Sequence, residues 1–218
     1  MNSRNEILSR LKKSARLGST PKVKFWNDRL LFSDYPDQLT QQFCDRLKGL
    51  SGEIHLADSP VMAADLLIGL LKKHDASACA AHHFPLLDKL VKTTGQLASS
   101  LTFIDDKKIS GIEFANYEIG LTAADYLVAR TGSIFIRTLS AGGRRLSVLP
   151  PVHIVLAEEK QIVSSLDDVL REGHFETGNW SFASLISGPS RTSDIEKQLV
   201  LGAHGPKQLI VVLLRSEI

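Results

Sequence analysis

Apolar positions along the chain switch repeatedly between the spacing of a helix and the spacing of a strand. Leu39, Phe43 and Leu47 recur every four residues and predict a helix; Ile54-His55-Leu56 then predicts a short strand. Asp58-Ser59-Pro60 punctuates the next transition, with Pro60 at a first helical position that has no use for an N–H, and Leu66, Leu67, Leu70 and Leu71 draw the apolar stripe of the helix that follows. A second strand and helix are expected at 77–80 and 85–91. Residues 101–104 and 118–121 predict strands, after which Thr122 is expected to cap a helix over 123–130, with Asp125 at the box position and Gly132 as its breaker. Residues 133–136 and 152–156 are apolar and β-branched and predict buried strands separated by a turn at Gly142-Gly143-Arg144-Arg145. A helical stripe at 162–170, a strand at 182–186, a helix at 193–201 and a last strand at 209–214 complete the pattern.

Such alternation predicts an α/β fold: one open, mostly parallel sheet with helices on both faces, whose ligands favour the crevice at the carboxyl ends of the strands. The start reads differently. Ser3-Arg4-Asn5-Glu6 has capping-box spacing ahead of Ile7, Leu8 and Leu11, which predicts a short amphipathic helix ending before Gly18 and Pro21. Neither period is sustained over 22–32, an extended connection in which Phe25, Trp26, Leu30 and Leu31 are expected to anchor. We therefore divide the chain into an N-terminal helix and basic arm, 1–30, and one α/β domain, 31–218.

Composition narrows the function classes. Among 218 residues, 43% are hydrophobic and 23% charged, enough to build a sizeable core. A formal net charge of +2 is too mild to call for nucleic acid or an acidic membrane surface. The excess is local: Arg4, Arg10, Lys12, Lys13, Arg16, Lys22, Lys24 and Arg29 face only Glu6 and Asp28. That arm reads either as a solvated leader or as a dock for an acidic partner. Cys44 and Cys79 stand far apart, without a CxxC or a Cys/His cluster, so no disulfide framework, zinc site or iron-sulfur cluster is expected in this chain. No apolar leader and no membrane-length apolar run is present, and a cytoplasmic protein is expected.

Candidate chemistry concentrates in three loops. Between the strand at 182–186 and the helix expected at 193–201, Gly188 and Pro189 tighten a turn, Ser187, Ser190 and Thr192 offer hydroxyls, and Arg191 adds a cationic fork. This arrangement suits a carboxylate or phosphate; Asp194 and Glu196 sit in the same first turn, and the competing reading has Arg191 tying these acids together. The second group is Thr122 and Asp125 with Thr131-Gly132-Ser133, where small residues let a backbone approach a ligand or simply serve caps and a turn. The third is His204 with Gly205 before the last strand, a candidate acid/base or anion contact. His82-His83 lie on opposite faces of any regular strand, so no metal centre is expected there.

At these residues the chain resembles the LUD family. The firmest part is 187–206, SGPSRTSDIEKQLVLGAHGP, supported by 120–125, by Thr131-Gly132-Ser133 and by Leu149-Pro150-Pro151-Val152-His153-Ile154 with Arg144 and Arg145 ahead of it. The resemblance implies a fold similar to the sugar-phosphate isomerase and CoA-transferase superfamily. It also implies a small subunit for L-lactate oxidation to pyruvate, working beside partner subunits that carry the iron-sulfur clusters and holding no redox cofactor itself. One position departs: where the family places a glutamate before its Thr-Gly-Thr, this chain has Arg130, which counts against independent chemistry at that point. The alternative reading is a free-standing enzyme or sensor that binds a small carboxylate or phosphate ester.

Overall fold

A computed structural model of the chain describes residues 3–14, 38–74, 79–105, 109–114, 116–137, 143–172, 182–192, 200–201 and 205–215. It divides into two compact units, Met1–Asp34 and Tyr35–Ile218. The first holds helix α1 (Ser3–Ser14), on which Glu6 and Arg10, one turn apart, pair at 2.8 Å. Ile7 and Leu8 are exposed on it.

The second unit runs α2 (Leu39–Gly49), β1 (Glu53–Ala57), α3 (Pro60–Lys73), β2 (Cys79–Ala81), α4 (Pro85–Thr93), α5 (Gly95–Ala98), β3 (Leu101–Phe103), α6 (Gly111–Phe114) and β4 (Ile119–Ala123). It continues through β5 (Tyr126–Val128), β6 (Ser133–Arg137), α7 (Gly143–Leu146), β7 (Val152–Glu158), β8 (Ile162–Val163), α8 (Leu166–Glu172), β9 (Ala183–Ile186), β10 (Arg191–Thr192), β11 (Val200–Leu201) and β12 (Gln208–Leu214). Six strands form one wholly parallel sheet in the order β1-β12-β7-β4-β2-β3. Its central strands β7 and β12 are buried on both faces, which is why they read as continuous apolar runs. On one face Leu67, Leu71, Leu87 and Leu90 of α3 and α4 pack over Ile154 and Val212. At the head of α3, Ser59 accepts a hydrogen bond from the Met62 N–H at 3.2 Å, as its position before Pro60 predicts. Ser59→Ala is expected to cost about 1 kcal/mol, a drop in Tm of roughly 2–4 °C in thermal denaturation.

The opposite face differs from the expected helical layer. Among the described residues α2 alone covers it as a helix, through Phe43 and Leu47; beside it lies a second, four-stranded sheet, β8-β5-β6-β9, whose Leu127, Ile134 and Ile136 meet Val155 and Val211. Here β5 and β6 pair antiparallel, as do β6 and β9, while β5 and β8 pair parallel. The helix expected over 123–130 is therefore strand: β4 runs through Ala123 and β5 occupies 126–128. Tyr126, Leu127 and Val128 suit a strand, and burial between two sheets outweighs the capping pattern before them. The helical stripe at 162–170 begins as β8 and turns helical only at Leu166. The turn expected around Gly142–Arg145 contains a helical turn, α7, whose Leu146 carbonyl oxygen lies 2.0 Å from where a Cβ on Gly120 would stand. The helix expected over 193–201 cannot include its last two residues, since Val200 and Leu201 pair antiparallel with Thr192 and Arg191; residues 193–199 lie outside those described. So do the anchoring residues expected at 25–31.

Candidate functional site

Two of the loops singled out in the sequence meet at the C-terminal end of α2, and the third is tied to one of them. The turn between β5 and β6 holds Gly132 at φ 65°, closed by its N–H donating to Val128 O at 2.9 Å. Gly132 is buried against α2: a Cβ there would stand 2.5 Å from the Leu47 nitrogen and 2.6 Å from the Arg46 carbonyl carbon. The loop after β9 presses on the same helix end, with Gly188 at φ 91° and its absent Cβ position 2.6 Å from Leu50 O. Between the loops, the hydroxyls of Ser133 and Ser187 share a hydrogen bond of 2.7 Å. Ser133 is buried while Thr131 is exposed. Gly205, at φ 151°, approaches Ser190, and Ser190 N–H donates to Pro206 O at 2.9 Å, tying the third loop to the second.

Arg191 reaches back to the end of α2. Its guanidinium donates to Leu50 O and to Ser51 Oγ, each at 2.6 Å, and so closes the C-terminus of α2, where carbonyls collect partial negative charge. It is exposed, and its residue pairs in the β10–β11 ribbon. Loss of the tie in Arg191→Ala is expected to cost about 1 kcal/mol, given solvent competition at an exposed guanidinium, measurable by urea denaturation. Asp194, Glu196 and His204 lie outside the described residues, as does the side chain of Thr192.

Thr122 and Asp125 go elsewhere. Asp125 accepts from Arg137 three times, from its N–H at 2.6 Å, Nε at 2.9 Å and Nη2 at 2.7 Å, so it braces β6 rather than capping a helix. Thr122 Oγ1 lies 2.9 Å from His153 Nε2. His153, inside the apolar run 152–156, is a polar group within the sheet. It is fully buried, its Nδ1 has no hydrogen-bond partner among the described residues, and burial pushes its pKa down to about 3. The signal was available: a histidine inside the apolar run 152–156.

A family model described as the LUD domain matches residues 40–214. The chain belongs to the LUD domain family. Its relatives include lactate utilization protein C of Halalkalibacterium halodurans, 37% identical over 103 residues, and lactate utilization protein C of Bacillus pumilus, 37% identical over 101 residues. The first match covers 45% of each chain and the second 43% of this chain and 41% of the relative, so this chain spans less than half the length of the curated relatives it matches. A DUF162 family protein from Deinococcus radiodurans shares the fold: 19% identity, TM-score 0.59, covering 82% of this chain and 97% of that one.

The rest of the LUD domain clarifies what the site can hold. Cys79 lies in the buried sheet with its thiol pushed up to about 12 by burial, and burial also raises Cys44 on α2. The two cysteines are fewer than the four thiolates that commonly hold an iron-sulfur cluster. His82 and His83 turn to different acids: His82 Nδ1 lies 3.3 Å from Asp105, and His83 Nδ1 2.8 Å from Asp88 with its ring stacked on Phe103 at 3.8 Å. Among the described residues no group of three metal-ligating side chains gathers, and no helix is long and apolar enough to cross a membrane. Arg130, the departure from the family pattern, is half-buried and its N–H donates to Ser164 O at 3.0 Å. Around the helix end, then, the LUD motifs gather hydroxyls, backbone groups and the Arg191 guanidinium.

Proposed function

We propose that this LUD chain serves lactate utilization as an accessory subunit, shaping a substrate or docking surface beside iron-sulfur subunits that carry the electrons from L-lactate to pyruvate. The observation that carries the reading is the likeness, over about half of each chain, to lactate utilization protein C of Halalkalibacterium halodurans and Bacillus pumilus. Two features of this chain support it. Its two thiols are buried, which suits a chain that leaves electron transfer to its partners. Its motif loops knot together through Ser133, Ser187 and Arg191 at one helix end, which suits a rigid contact surface or a seat for a small organic anion.

The test is growth. Deleting the gene is expected to abolish growth on L-lactate while leaving growth on glucose unchanged, with recovery on returning this chain. Pull-down of the tagged chain from lactate-grown cells should bring down cysteine-rich iron-sulfur proteins. Unimpaired growth on lactate would overturn the reading, and a thermal-shift response to one class of carboxylate or phosphate ester by the isolated chain would move the assignment to a free-standing enzyme or sensor.

A further inference from the structure

We propose that the outer edge of β1 and the groove beside α3 seat a second copy of this chain, joining two parallel sheets into one continuous sheet about a two-fold axis. Among the described strands β1 ends the sheet order, with β12 on its inner side only. Ala57 O accepts from Arg215 N–H at 2.9 Å, so Ala57 turns its polar backbone inward. Successive residues of a strand turn theirs to opposite sides; His55 and Glu53 therefore also face β12, and Ile54 and Leu56 present N–H and C=O outward. Exposed edges of this kind are usually covered or blunted. Here no charge or proline stands at either outward position, and Leu56 is 38% exposed.

A two-fold axis through His55 solves the edge. It places Ile54 opposite the partner's Leu56 as a hydrogen-bonded antiparallel pair, and repeats that pair on the other side of the axis. The apolar pair covers Leu56 on the face away from α3.

The same axis also fits the helices. Glu53 and Lys73 approach to 3.9 Å and mark one level of strand and helix. His55 lies two residues further along β1, roughly 6.6 Å, a rise that takes between four and five helical residues, roughly 1.5 Å each, and so arrives at Gly69. Gly69 is exposed in the middle of α3, with nothing within 4 Å of where its Cβ would stand. A glycine there weakens the helix for no reason within one copy. With the axis at Gly69, Asp65 of each helix comes opposite the partner's Lys73, so opposite charges meet at both ends. Since α3 lies over β1 and β12, strands about 4.8 Å apart put the two α3 helices roughly 10 Å apart, within helix packing range. The groove of about 540 Å³ between β1 and α3, walled by Leu66 and Leu70 and flanked by Val61 and Met62, which are 55% and 42% exposed, is the space those helices close.

Sedimentation of the full chain at tens of micromolar is expected to give twice the 23.9 kDa of one chain. Leu56→Lys, at an exposed position, should halve that mass with the circular dichroism spectrum retained. Gly69→Cys should give a covalent dimer with a short bismaleimide, against a background kept low by the burial of both native cysteines. A monomer across the concentration range overturns the proposal. So does a dimer that survives Leu56→Lys and leaves Gly69→Cys uncrosslinked, since it would use another face.

Discussion

Gly132→Ala is expected to destabilise the domain by about 3 kcal/mol, lowering Tm by roughly 6–12 °C for a chain of this length. Two costs add. At φ 65° a Cβ is crowded by its own backbone, about 1–2 kcal/mol. The same Cβ would also stand 2.5 Å from Leu47 N and 2.6 Å from the Arg46 carbonyl carbon, both backbone atoms of a helix that cannot yield as a flexible side chain would; overpacking of that kind costs about 1–3 kcal/mol. The measurement is urea denaturation of the purified variant. A loss below 1 kcal/mol would mean that the turn is not locked against α2, and the reading of these loops as a rigid surface would fall with it.

Below pH 6.5 the protein is expected to lose stability through His153. Its pKa stands at about 3 in the fold against an ordinary 6.5, because burial disfavours the charged ring. The unfolded chain therefore takes up the proton first. The stabilising contribution is complete above pH 6.5 and declines as pH falls from 6.5 towards 3, by about 1.4 kcal/mol per unit, or on the order of 2 kcal/mol by pH 5. His153→Gln keeps a polar group facing Thr122 and cannot titrate in this range. The variant's denaturation midpoint between pH 7 and 5 should fall less than that of the natural chain; equal slopes would show that His153 takes its proton in the folded state.

Legibility in the sequence followed the range of the interactions. The parallel sheet was readable because β7 and β12 are buried on both faces and their runs of Val, Ile and Leu are bounded by helix stripes such as that of α3. The second sheet was not. Thr122 and Asp125 imitate a helix start, and only the contacts they make with His153, thirty-one residues on, and Arg137, twelve on, reveal that both serve strands. The helix expected over 193–201 ends instead in Val200 and Leu201, which pair back to Thr192 and Arg191. At the candidate site, Gly132, Gly188 and Gly205 proved to be positions of positive φ. What could not be read was the common seat: nothing local in Arg191 says that it closes a helix whose cap, Leu50, lies 141 residues earlier.

The strand order also bears on how the molecule comes into being. β12 follows every other described strand in the sequence, yet it lies between β1 and β7. On the ribosome those two strands are made long before the segment that joins them, and each waits with an unsatisfied backbone edge. Sheet closure is thus a late, non-local event, slow by the measure of contact separation and open meanwhile to strand-mediated aggregation. Chains halted before residue 208 should be strong clients for chaperones, whatever the helices have already formed.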